Sequence, residues 1–70
     1  MNLNNALDKK YESMTLKQLN EAPVAALAGV SESDAKLLEQ AFGIKTIRDM
    51  GTNKLFRAAM AIAMAAELEA

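Results

Sequence analysis

Apolar residues recur along this chain at helical spacing, and the breaks between the runs carry helix punctuation. Leu3, Leu7, Tyr11 and Met14 follow one another at intervals of four, four and three, with Asp8, Lys9 and Glu12 elsewhere. That spacing predicts an amphipathic helix within residues 1–14. Thr15 with Gln18 three places on then reads as a capping box, and Met14 and Leu19 stand at the hydrophobic-staple positions around it. The short helix it opens must stop before Pro23, whose ring pushes Ala22 out of the α region. Pro23 is itself placed to open a helix through about Ala28, which Gly29 ends.

Two further boxes follow. Ser31 with Asp34 opens a predicted helix from Glu32 to Phe42, with Ala35, Leu38, Ala41 and Phe42 as its expected core face and Gly43 as a left-handed C-cap. Thr46 with Asp49 caps a short helix from Ile47 to Met50, and Gly51 and Thr52 end it. A last helix is expected from Asn53 to about Leu68. No stretch alternates at period two for long enough to suggest a strand. The reading is one all-α domain over residues 1–70: an N-terminal helix within 1–14, then a bundle over 15–70, about five short helices in all.

The last helix has the widest apolar face. At 100° per residue, the positions from Ile62 and Leu55 round to Met60 and Met64 sweep an arc of about 200°. A surface helix normally hides a narrower stripe. Either the whole arc is core, or Met60 and Met64 at its edge meet another chain, for which adaptable methionine side chains are suited. Leu3, Leu7 and Tyr11 also need a cover, in this subunit or in a neighbour.

Composition narrows the function classes. Half of the residues are apolar, but only Tyr11, Phe42 and Phe56 are aromatic, and there is neither cysteine nor histidine. Disulfides are therefore out, and a zinc site would need a carboxylate cluster that the sequence does not offer. Ser13, Ser31 and Ser33 have no histidine to take a proton, and no thiol nucleophile exists. Three glycines make no phosphate-cradling loop. Neither an enzyme nor a cofactor is expected. The longest apolar run, Ala58 to Ala66, is too short for a bilayer core of about 30 Å. The first helix lacks the basic polar face of a membrane-surface helix. A soluble cytoplasmic protein without a membrane partner is expected.

Leu27-Ala28-Gly29-Val30-Ser31-Glu32-Ser33-Asp34 resembles a helix-hairpin-helix turn, with Ser31 in place of its second glycine. Phe42-Gly43-Ile44-Lys45-Thr46-Ile47-Arg48-Asp49-Met50 resembles the stretch that follows such hairpins in DNA-repair and transcription proteins. Over about residues 23–50 the chain is thus similar to helix-hairpin-helix (SAM-like) domains, among them the C-terminal domain of the bacterial RNA polymerase alpha subunit. The resemblance implies a helix-hairpin-helix-like centre and, in function, docking on DNA through backbone N–H groups of a turn.

Charge limits that implication. A net charge of −1 gives no general attraction to polyanions. Glu32 and Asp34 lie where the first turn would meet a phosphate. The second turn is basic: Lys45, Arg48, Lys54 and Arg57, with Thr52 and Asn53 between them, face a single acid, Asp49. Those six residues are the candidate nucleic-acid contacts, or simply a solvated basic face, since no aromatic residue is interleaved to stack on bases. The function expected from the sequence is a non-enzymatic, self-associating protein-interaction module. Its candidate surface comprises Met60, Met64, Leu3, Leu7 and Tyr11, and a weak nucleic-acid-binding hairpin domain is the alternative.

Overall fold

The computed structural model describes residues 7 and 9–69. Its helices are α1 (Leu16–Asn20), α2 (Glu32–Phe42), α3 (Ile47–Gly51) and α4 (Lys54–Ala66), with single 3-10 turns at Lys9–Tyr11 and Val24–Ala26. The protein is all-α: among the described residues there is no strand, only two isolated antiparallel bridges.

All three capping boxes form. The Thr15 hydroxyl accepts from the Gln18 N–H at 3.1 Å, and the Gln18 side chain accepts from the Thr15 N–H at 2.9 Å. Ser31 and Asp34 exchange the same pair of bonds at the start of α2, as do Thr46 and Asp49 at α3. Each box satisfies two backbone donors that a helix start leaves without a partner, which fixes where the helix begins. Gly43 ends α2 at φ 69°, ψ 19°, the left-handed region that glycine enters without a Cβ penalty. The bend delivers Ile44 into the core.

That core is small and lies in the middle of the chain. Leu19, Ala22, Val24, Ala26 and Ile44 are its buried members, and Val24 and Ile44 are closed off almost completely. Two backbone bonds stitch its halves together: the Val24 N–H donates to the Lys45 carbonyl at 2.9 Å, and the Ile47 N–H donates to the Ala22 carbonyl at 3.0 Å. They flank the Pro23–Thr46 bridge. Pro23 therefore occupies the position in the bridge that needs no N–H, so the proline costs no hydrogen bond.

Three expectations require correction. The helix expected from Pro23 through Ala28 is a single 3-10 turn, because the bridges hold the backbone extended at Pro23 (ψ 149°) and Leu27 (ψ 128°). The expected core face of α2 is not buried: Ala35 and Leu38 are half-buried, and Ala41 and Phe42 are exposed. Short loop residues and Ile44 fill the centre instead. In the N-terminal segment, Leu7 bridges to Leu27 and Lys9–Tyr11 makes one 3-10 turn, so the described part is not an α-helix. A helix so short and without a cap is marginal alone, and the backbone pairing at Leu7 competes with it. Residues 1–6 and 8 of that expected helix lie outside the described residues.

Candidate interaction surface

The geometry of α4 starts at Asn53. Its side-chain oxygen accepts from the N–H groups of Leu55 and Phe56 at 2.9 and 3.2 Å, an N-cap that anchors the first turn. Phe56 then packs edge-on against Phe42, with ring centroids 5.2 Å apart and planes at 67°. The packing stops there. Every residue from Arg57 to Glu69 is exposed. Leu55, Met60, Ile62 and Met64 each keep 60–70% of their surface open. The wide apolar arc is thus not core within this subunit. The radius of gyration, 13.4 Å, exceeds the roughly 11 Å of a compact chain this long.

The other half of the expected surface lies elsewhere. Leu7 lines a groove of about 500 Å³ with Leu16, Leu19, Leu27 and Ile47, and no α4 residue lines it. Tyr11 is half-buried, with the Lys10 ammonium 5.1 Å from its ring centroid. Leu3 lies outside the described residues. Sequence reasoning did not anticipate this groove, because Leu16 and Leu27 belong to no common periodic face and only the Leu7–Leu27 bridge brings the N-terminal segment to them. A second, open groove of about 370 Å³ runs along α2 between Val30, Leu37, Leu38 and Phe42. Of its lining residues, Leu38, Ala41 and Phe42 belong to the face expected to lie inside.

The basic second turn is partly neutralised within the subunit. Arg48 pairs with Glu21 at 2.9 Å and Lys45 with Glu39 at 3.7 Å. The Thr52 hydroxyl donates to the Arg48 carbonyl at 2.8 Å, and Asn53 is occupied as the α4 cap. Only Lys54 and Arg57 of the six candidate contacts are outside such bonds among the described residues. Asp49 stands against them with its carboxyl held below the ordinary value. The first cause is the Lys45 backbone N–H that it accepts, and the second is that of Thr46.

No helix among the described residues is long and apolar enough to cross a membrane. Comparison with protein-family models, curated proteins and solved structures found no match.

Proposed function

We propose that this chain is a non-enzymatic protein-interaction module that self-associates through α4. One observation carries the reading: the apolar run from Ala58 to Ala66 is helical and wholly exposed. A helix that is apolar on most sides belongs in an interior, and a helix of this length is marginal in water by itself. Covering Met60 and Met64 stabilises by about 1.5–3 kcal/mol for each side chain, before ordering costs. Domains below about 70–80 residues commonly rely on such assembly when they have no disulfide or metal.

Sedimentation at tens of micromolar tests the proposal. The wild type should run as an oligomer, and Met64→Glu should weaken or dissolve it while leaving the core of the subunit folded. Ile44→Glu, which strikes the buried core, should unfold it. A clean monomer that retains α4 would overturn the reading.

Nucleic-acid binding by the basic turn is the alternative. Lys54 and Arg57, which have no ion pair among the described residues, favour it, and the pairing of Lys45 and Arg48 weighs against it. Fluorescence anisotropy with duplex DNA at low and physiological salt separates the two readings. Phosphate contacts give a steep salt dependence, and apolar pairing a shallow one.

A further inference from the structure

We propose that α4 pairs with α4 of a second copy in antiparallel orientation, centred on Ile62. In that register Arg57 faces the partner subunit's Glu67, and Met60 faces the partner subunit's Met64. This rests on the self-association reading and goes beyond it by fixing direction and register.

The argument begins with symmetry in the sequence. Arg57 and Glu67 lie equally far on either side of Ile62, and so do Met60 and Met64. An antiparallel pair centred there matches both sets at once. At 100° per residue, all four positions fall within an arc about 80° wide on the face opposite Ile62, which marks only the axial midpoint. That arc adjoins Phe56, the residue that ties α4 to its own subunit through Phe42. Ala61 and Ala63 flank the arc, equally spaced about the same centre, and their small side chains let two helices approach closely.

Charge decides the direction. A parallel pair in register would set Arg57 on Arg57 and Glu67 on Glu67, two like-charge contacts that both repel. The antiparallel pair makes two attractive contacts from the same residues, and it also opposes the helix dipoles. Within one copy Arg57 and Glu67 are about 15 Å apart along the axis, too far to satisfy each other. Neither belongs to an ion pair among the described residues. Both methionines between them are more than half exposed.

The chain has no cysteine, so introduced cysteines report geometry without background. Full-length Arg57→Cys and Glu67→Cys, one carrying a size tag, are mixed under mild oxidation and resolved on a non-reducing gel. The mixed disulfide should dominate, because antiparallel pairing sets these positions level and separates like positions by about 15 Å, beyond the roughly 7 Å Cα limit of a disulfide. Each variant cross-linking readily to itself would show a parallel pair and overturn the proposal.

Charge reversal gives a second readout, free of cysteine. Arg57→Glu and Glu67→Arg should each weaken association, by roughly tenfold for two surface contacts per pair, and the combined variant should recover most of the loss. Sedimentation of the wild type separates the two levels of failure. A monomer sinks the self-association reading itself. An oligomer without the mixed cross-link or the charge recovery sinks only the antiparallel register.

Discussion

Gly43 joins the end of α2 to the core, and replacing it tests that joint. Its φ of 69° lies in the left-handed region, and a Cβ built there meets nothing within 4 Å. Steric clash is therefore absent, and the cost of a side chain is conformational alone. Holding an L-residue in that region costs about 1–2 kcal/mol. Alanine also loses less backbone entropy on folding than glycine, which offsets about 0.4–1 kcal/mol. Gly43→Ala should thus destabilise by about 1 kcal/mol. Gly43→Val should cost more, because β-branching disfavours this region further. Gly43→Asn should cost less than alanine, since asparagine tolerates the conformation.

Thermal melts followed by far-ultraviolet circular dichroism, at one protein concentration, provide the assay. About 1 kcal/mol corresponds to about 4–8 °C in Tm for a domain of this size. The order wild type, Asn, Ala, Val is the result expected. The Gly43 N–H donates to the Glu39 carbonyl at 2.9 Å and the Ile44 N–H to the Leu38 carbonyl at 3.3 Å, so a lost bend also withdraws Ile44. If Gly43→Val melts with the wild type, or if Asn and Val cost the same, the left-handed cap is not what ends the helix.

Two other perturbations probe the core and the caps. Ile44→Val should cost about 0.5–1.5 kcal/mol and Ile44→Ala about 2–5 kcal/mol in urea unfolding, whereas Leu37→Ala on exposed α2 surface should stay within about 0.5 kcal/mol. Equal losses at the two sites would mean that the core is misplaced. For Asp49, the folded carboxyl titrates below the ordinary aspartate value of 3.8, so its stabilising effect is present above that pH and is lost as pH falls through the lower folded value. Asp49→Asn should therefore destabilise at pH 6, and the difference from the wild type should shrink as pH falls below the ordinary aspartate range; a difference in urea stability that does not change with pH would sink the assignment.

What the sequence makes legible here is what a few neighbouring residues decide. Thr15, Ser31 and Thr46 each meet their partner three residues on, so the starts of α1, α2 and α3 follow from local chemistry without knowledge of the fold. Gly43 is readable for the same reason. Pro23 is less so: its ring permits a helix start, but the bridge to Thr46, more than twenty residues away, holds it extended. Burial is also a long-range property. The periodicity of α2 marks an apolar face correctly, yet Leu38 and Phe42 border an open groove because Val24, Ala26 and Ile44 already fill the centre. For the candidate surface, the methionines of α4 could be singled out by arc width. Leu16 and Leu27 could not, because they come together with Leu7, Leu19 and Ile47 only through the long-range fold.

The distribution of buried residues explains why α4 is left uncovered. Among the described residues, each buried side chain comes from the segment Leu19 to Ile44, and none comes from α2, α3 or α4. α4 joins the subunit through its cap, its contact with α3 and the Phe42–Phe56 edge, all at its first turn. The remaining turns cannot draw tertiary stability from this core, because no part of the core reaches them. Alanine-rich composition supports their helicity only weakly at this length. Pairing with a second copy supplies what the subunit lacks, since burying the methionine edge of the apolar arc rewards the helical form over the unfolded one. In that case helix formation in α4 and association are one equilibrium, and a substitution at Met64 acts on both. The division of labour follows: a loop-built centre that folds by local caps and two long-range bridges, and a helix whose order depends on a partner.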